Sequence, residues 1–339
     1  MQLRKDKIPY SLYIICFLLL ILLMLIFSMN AGYIQIPIAD VWETIIGHGT
    51  ASNELTIFNF RLPRMIIALL VGAGIAVSGA ILQAVSKNAL ADPGILGINA
   101  GAGFMIVLYI FFIQGNAFYQ SHIAVFIMPL VALFGAFSAA GIIFLLAWKK
   151  GSVKPTRMIL VGIGVNAGFT AGLTIFQMKM NPTDFTQALV WISGSIWSAT
   201  WTYVLAALPW LIILIPYALY KARTLDVLNL GEQSAVGVGV HVNKERGKLL
   251  LIAVALAGSC VAIGGGITFV GLIAPHIARA LVGTRHQRML PICILFGGLL
   301  VLTADTIARV ILAPLELPVG IVLSIIGAPY FIYLLLFKN

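Results

Sequence analysis

Charged residues are scarce in this 339-residue chain: Asp, Glu, Lys and Arg make up 9% of it, whereas hydrophobic residues make up 61%. Soluble domains carry roughly 25% charged residues. The composition therefore excludes an ordinary soluble domain. The apolar runs are long and continuous, close to the ~20 residues that a membrane-spanning helix needs. Strands of a membrane β-barrel alternate apolar and polar residues, and these runs do not. We therefore expect an all-α, polytopic membrane protein.

Cysteine is also rare. Cys16, Cys260 and Cys293 lie in apolar surroundings without paired spacing, which excludes a disulfide framework and is typical of small buried side chains. The five histidines are scattered without the spacing of metal ligands. We therefore expect neither a metal site nor a cofactor.

The motifs of catalysis are missing from the sequence. It contains no G-x-x-x-x-G-K-[ST], so the chain cannot bind and hydrolyse ATP through a P-loop. It contains no nucleophile paired with a base, and no acidic pair that would hold a metal–diphosphate substrate. A role as an enzyme has no support from the sequence.

About ten membrane-spanning helices are predicted within one domain that covers residues 1–339, and the first is interpreted as an uncleaved span. The expected spans lie near residues 8–29, 64–85, 95–113, 123–148, 158–178, 201–220, 249–264, 267–282, 290–312 and 319–337.

The basic residues predict the orientation. With both termini in the cytoplasm, all but four of the 21 cations lie at cytoplasmic ends and loops, as the positive-inside rule expects. The exceptions are Arg61, Arg64, Lys179 and Arg309. The net charge of +10 is explained by this bias, so we expect no nucleic-acid partner.

Two connections between spans are more than turns. Residues 182–197 begin with a helix start and carry aromatic anchors, which predicts a short external or interfacial helix. Residues 222–248 form the longest cytoplasmic segment, with two short helices broken near Gly231 and Gly237. An apolar edge is expected from Leu228, Leu230, Ala235 and Val236. Such an edge fits the bilayer surface and the groove of a partner protein equally well.

Small residues recur at helical spacing. Gly72, Ala76 and Ala80 follow one stripe of the second predicted span, which favours close packing against another helix. Gly265 and Gly266 are expected at the outer turn between two spans, and Pro275 lies within the span that follows. Broken helices of this kind occur along transport paths, although kinked helices also serve packing alone.

Ionisable residues near the predicted outer end form a small set. Asp305 and Arg309 are four residues apart, a spacing that allows an ion pair within one helix. Arg61, Arg64 and Arg309 are three of the four external cations. Since arginine offers a rigid fork of donors to carboxylates, an acidic external partner is a reasonable hypothesis.

These features together resemble the FecCD-type permease subunits of ABC importers for iron–siderophores, haem and cobalamin. The resemblance covers nearly the whole chain and rests on motifs that occur in the same order. They are RLPR (61–64), SGAILQ (78–83), LADPGILGINAGA (90–102), WISGSIW (191–197), LGEQSAVGVGV (230–240), GGITFVGLIAPHIAR (265–279) and ELPVGIVLSIIGAPYFIYLL (316–335).

The resemblance implies a type II ABC importer permease fold in a bacterial cell membrane, with two permease subunits around a central path. A cytoplasmic ABC ATPase dimer and an extracytoplasmic substrate-binding protein are the implied partners. Arg61, Arg64 and Arg309 fall where family members present arginines to the binding protein. The residues implied to rest on the ATPase are Leu228, Leu230, Gly231, Glu232, Ala235 and Gly237.

The expected activity is import of a ferric siderophore by alternating access, with haem or cobalamin as alternative substrates. A secondary transporter driven by an ion gradient is a less favoured alternative. A siderophore already coordinates its iron, so the lack of a His/Asp/Glu cluster fits a chelate better than a free metal ion. Two positions depart from the family pattern: Ala89 replaces a usual proline, and Arg285 stands where aspartate is common.

Overall fold

Helices form nearly all of the regular structure in the computed structural model. It describes residues 9–32, 34–94, 96–113, 124–149, 152–153, 155–197 and 199–337. Some of the cations on which the predicted orientation rests lie outside the described residues, namely Arg4, Lys5, Lys7, Lys150, Lys154 and Lys338.

The helices follow one another along the chain, with short connections between most of them. They are α1 (Tyr10–Asn30), α2 (Ile38–Ile46), α3 (Ala51–Glu54), α4 (Leu62–Ser86), α5 (Ile98–Ile113), α6 (Ala124–Ala147), α7 (Pro155–Gln177), α8 (Pro182–Ile192), α9 (Trp201–Tyr220), α10 (Ala222–Asn229), α11 (Glu232–Gly237), α12 (Val242–Gly264), α13 (Val270–Val282), α14 (His286–Val310) and α15 (Val319–Phe337). A π-helical segment, Leu55–Arg61, joins α3 to α4. Two antiparallel strands of two residues each, β1 (Trp148–Lys149) and β2 (Ser152–Val153), precede α7.

The all-α, membrane-spanning fold is confirmed. Among the described residues, eight helices are long and apolar enough to cross a bilayer, and α5 and α13 are apolar but shorter. Each predicted span coincides with one of these ten helices. We call the end of the bundle that holds Arg64 the outer end, and the end that holds α10 and α11 the inner end, following the predicted orientation.

The short helices expected between the spans, one within residues 182–197 and two within 222–248, are present as α8, α10 and α11. In α8, the Asn181 side chain accepts a hydrogen bond from the Asp184 backbone N–H, which caps the helix. The helix that contains α4 is longer than predicted, because α3 and the π-helical segment continue into it without a break. Thr50 caps this extension by accepting from the Asn53 N–H.

α4 lies at the centre of the bundle, and nearly all of its residues are buried. It packs most extensively against α14, and also against α12 and α13. A Cβ atom built on Gly72 would collide with the Gly297 backbone of α14, and one on Gly79 would collide with Gly271 of α13. Close approach of helix backbones through small residues is the usual basis of helix association in membranes.

The turn between α12 and α13 differs in depth from its prediction. Gly264 ends α12 and packs against Val71, well inside α4 and not at its outer end. α13 has only 13 residues, about 20 Å of helix, against roughly 30 Å of bilayer core. The turn at Gly265 and Gly266 is therefore buried within the bundle, because α13 is too short to reach the outer surface.

The contact at Gly72 is open to a direct test. Replacing Gly72 with Ala should lower the free energy of unfolding by about 1–3 kcal/mol, because the added methyl group overpacks two backbones. Gly168→Ala is the matched control, because a Cβ atom there meets nothing within 4 Å. That change should stabilise the helix by about 0.5–1 kcal/mol. Thermal unfolding in detergent measures both, and equal melting temperatures for the two variants would contradict the close contact.

Candidate functional site

A cluster of ion pairs joins α4 to α14 at the outer end. Arg64 donates from Nε to Asp305 Oδ1 (2.8 Å) and from a terminal nitrogen to Glu316 Oε2 (2.7 Å). Arg309 pairs with the other oxygen of Asp305, Oδ2, at 3.3 Å. Asp305 is fully buried, so its charge is balanced by two guanidinium groups instead of water.

The remaining donors of the arginines hold α1 and the chain after it. Arg309 donates to the Ser28 side chain and to the Ala31 carbonyl oxygen (3.4 Å). Arg61 donates to the carbonyl oxygens of Met29 and Ile34. Carbonyl groups at the end of α1 lack partners within their helix, and these arginines supply the donors.

The arginines for which an acidic external partner is predicted are buried in the bundle. Arg61, Arg64 and Arg309 are 6%, 7% and 6% exposed, respectively. Each guanidinium group is bonded within the chain, because the bundle brings carboxylates and helix-end carbonyls into its reach. Contact with another protein would require breaking these bonds, so their docking role stays a prediction that the burial argues against.

A junction of irregular backbone lies beside the buried turn. The Gly266 N–H donates to the Trp191 carbonyl oxygen (3.3 Å), and the Gly320 N–H donates to the Gly194 carbonyl oxygen (2.9 Å). A Cβ atom on Gly265 would collide with the Trp191 carbonyl, and its φ of +68° also favours glycine. Non-helical backbone at membrane depth requires such partners or a cavity.

A cavity of about 410 Å³ opens at this junction. Ser193 and Ser324 contribute hydroxyl groups, and Gly266, Gly320 and isoleucine side chains complete the lining. The lining therefore carries few strong ligands and no charge. Such a surface can let a bulky molecule pass without holding it tightly.

Pro275 and the residue after it lie in α13, on the inner side of the junction. The Pro275 carbonyl oxygen accepts from Arg279 Nε (3.3 Å), and His276 hydrogen-bonds to the Tyr330 hydroxyl through Nδ1. His276 therefore links α13 to α15. Among the described residues there is no group of three or more His, Cys, Asp or Glu side chains that could hold a metal ion.

At the inner end, α10 and α11 are fastened to the spans. Asp226 Oδ1 accepts from the His286 N–H (2.8 Å) and contacts His286 Nδ1 (2.7 Å), so α10 caps the first turn of α14. Glu245 of α12 pairs with Lys221 (2.7 Å), which raises the pKa of that lysine. Arg246 pairs with Glu232 of α11 (2.9 Å).

The predicted single apolar edge of this segment is wrong. Leu228 and Ala235 are buried against the bundle, whereas Leu230 and Val236 are 74% and 63% exposed. The two helices do not share one face, because Gly231 has φ of +114° and changes the chain direction between them. Gly237 ends α11, as the pattern predicted. We use the name inner apolar patch for the three exposed apolar residues of this segment, Leu230, Val236 and Val238.

Sequence reasoning missed Glu316, Asp226 and His286 as members of these sites. Glu316 could have been predicted from the sequence. It follows Arg309 closely and lies at the same predicted end as the other external arginines, which suggests an ion pair within the chain. Asp226 and His286 are 60 residues apart in sequence, and no local pattern joins them.

Comparisons with known proteins cover nearly the whole chain. The sequence profile of the FecCD transport family matches residues 19–337. The chain is 56% identical over 335 residues to the iron(3+)-hydroxamate import system permease protein FhuG of Bacillus subtilis (strain 168), with 99% of each chain covered. It is 43% identical over 320 residues to the iron-uptake system permease protein FeuC of the same organism, with 94% of this chain and 95% of that protein covered. A solved structure described as a metal-chelate type ABC transporter, inward-facing, superposes with a TM-score of 0.82 at 28% identity, covering 98% of this chain and 100% of the other.

The buried carboxylate offers a test of the outer cluster. Asp305→Asn should lower the free energy of unfolding by about 3–5 kcal/mol, because it leaves two buried cations facing each other without the carboxylate between them. Glu316→Gln is the matched control, since it removes another partner of Arg64 whose side chain is 32% exposed. Its effect should stay within about 1 kcal/mol. Thermal unfolding of the purified variants decides, and a mild effect at Asp305 would show that the cluster is not structural.

Proposed function

The chain belongs to the FecCD transport family, and we propose that it is the membrane-spanning permease subunit of an ATP-driven importer of a ferric siderophore. It is a multi-pass membrane protein of the ABC permease class, and this class works with ATPase and other subunits. The observation that supports the substrate best is the 56% identity, over 99% of both chains, to a permease named for iron(3+)-hydroxamate import.

The cavity at the glycine junction fits a substrate that brings its own metal ligands. Its hydroxyl groups and apolar side chains offer weak contacts to the outside of a chelate. A free metal ion would need several charged or imidazole ligands. This argument favours a chelate generally, so haem and cobalamin remain the alternatives within the proposal.

We infer that transport proceeds by alternating access, driven from the inner end. ATP binding would close the ATPase dimer and move α10 and α11, which are bonded to α12 and α14 through Glu245, Arg246 and His286. The close backbone contact between α4 and α14 would let those helices move as one body. No chemical step is assigned to this chain, in line with a non-catalytic subunit.

The inner apolar patch is the surface proposed to meet the ATPase. Leu230, Val236 and Val238 are each more than 60% exposed. Apolar side chains grouped on an inner loop fit the groove of a partner. The second permease subunit, identical or related, and the external substrate-binding protein complete the proposed assembly in the cytoplasmic membrane, with both termini in the cytoplasm.

Reconstitution tests the function. The permease is placed in proteoliposomes with its ATPase and binding protein, and uptake of a radiolabelled ferric hydroxamate is measured against haemin and cobalamin. We expect ATP-dependent uptake of the hydroxamate complex, because the chain is 56% identical to a permease named for iron(3+)-hydroxamate import. Uptake that continued without the ATPase under an ion gradient would overturn the proposal in favour of a secondary transporter.

The inner apolar patch gives a second test. Leu230→Asp should reduce ATPase co-purification with the tagged permease at least tenfold, because a charge would replace an apolar contact at the interface. Leu315→Asp is matched in exposure, at 73% against 74%, but lies at the outer end. It should leave ATPase binding unchanged, and equal losses in both variants would place the ATPase contact elsewhere.

A further inference from the structure

A second cavity, apolar and about 370 Å³ in volume, lies between α6 and α12 and is separate from the glycine junction. On α6, its wall includes Phe137, Ala140, Gly141 and Phe144, which follow one face of the helix. On α12, the spacing is the same, since Gly247 and Val254 are seven residues apart and line the cavity with two leucines between them. Two facing helices therefore present matching stripes to one space.

Glycine keeps this space open. A Cβ atom added at Gly141 or at Gly247 would meet nothing within 4 Å. Elsewhere in the bundle, glycines such as Gly72 bring backbones into contact. At Gly141 and Gly247 the two helices leave a gap, although they pack closely at Gly258 and Ala136, so the missing side chains leave room for another molecule.

Water is a poor occupant of this space. The lining supplies apolar side chains and glycines, whereas a buried water needs two to four polar partners. The volume falls within the roughly 300–1,000 Å³ of ordinary ligand sites. Leu251 lines the cavity and is 61% exposed, so the cavity opens to the side of the bundle at this residue.

The rim of the cavity is cationic at its inner end. Lys244 is exposed and lies one helical turn before Gly247. Arg157 adjoins Met158 of the cavity lining and donates from Nε to the Leu146 carbonyl oxygen (3.0 Å). Trp148 contacts Phe144 in a tilted arrangement, with ring centroids 5.2 Å apart, and is 47% exposed. Tryptophan and basic residues together are typical of the level of lipid headgroups.

We propose that this cavity binds an acyl chain of an anionic phospholipid whose phosphate lies between Arg157 and Lys244. The apolar stripes match the chain, and the two cations match the headgroup. Basic residues near an anionic membrane surface attract its headgroups. With the orientation proposed above, the lipid comes from the cytoplasmic leaflet. The bound chain fills the gap between α6 and α12, next to the segment proposed to meet the ATPase.

Lipid retention tests the site. The full-length permease, purified with its partner subunits, is exchanged from palmitoyl-oleoyl phosphatidylglycerol into detergent, and retained lipid is counted by native mass spectrometry. Gly247→Leu and, separately, Gly141→Leu should lower retention about tenfold, because leucine fills the space. Gly168→Leu is the control, being a helical glycine with equal room that lies outside the cavity.

A second pair of variants tests the headgroup without disturbing the packing. In Arg157→Gln with Lys244→Gln, the preference for phosphatidylglycerol over phosphatidylcholine should fall at least fivefold. Lys179→Gln, at the outer end of α7, should keep the preference. The site is overturned if wild type retains no more lipid than Gly247→Leu, or if the charge variant keeps its preference. Neither result would touch the importer function, because transport is not the readout.

Discussion

The contact between the backbones of α4 and α14 at Gly72 and Gly297 is the constraint on which the rest of the structure depends. In lipid, helices gain nothing from burying apolar side chains against one another, since the solvent is equally apolar. Close van der Waals packing must supply the attraction, and glycine allows the closest approach. The same contact sets the distance at which the outer ends of the two helices meet.

That distance explains the outer ion pairs. Buried charges are costly unless they are paired with good geometry, and Arg64 can reach Asp305 only because α4 and α14 lie side by side. Asp305 in turn balances Arg309 on its own helix. The arginines then hold the end of α1 through carbonyl oxygens. One packing contact between two helices therefore organises charges and chain ends from three segments.

The sequence predicts what depends on local pattern. The ten spans, α8 and the break at Gly231 follow from apolar run length and from glycine, which are visible within about 20 residues. The inward direction of Arg64 is not visible there, because its partner Asp305 is 241 residues away. The depth of the turn at Gly265 is hidden for the same reason, since it depends on Trp191 and Val71 from other helices. The length of an apolar run predicts a span. Whether a charged side chain is buried depends on which other helix packs against its own.

α14 connects the two ends of the molecule. Its first turn is capped by Asp226 of the inner segment, its middle touches α4 through glycine, and its last turns carry Asp305 and Arg309. These contacts tie the 25 residues of α14 to the rest of the bundle at three levels, and Pro291 removes one backbone donor from its second turn. The glycine junction at Gly266 is held instead by backbone hydrogen bonds and by close backbone contacts at Gly265, Gly266 and Gly320. A movement imposed at α10 would therefore reach α14 through Asp226 and act on α4 through the contact at Gly72 and Gly297.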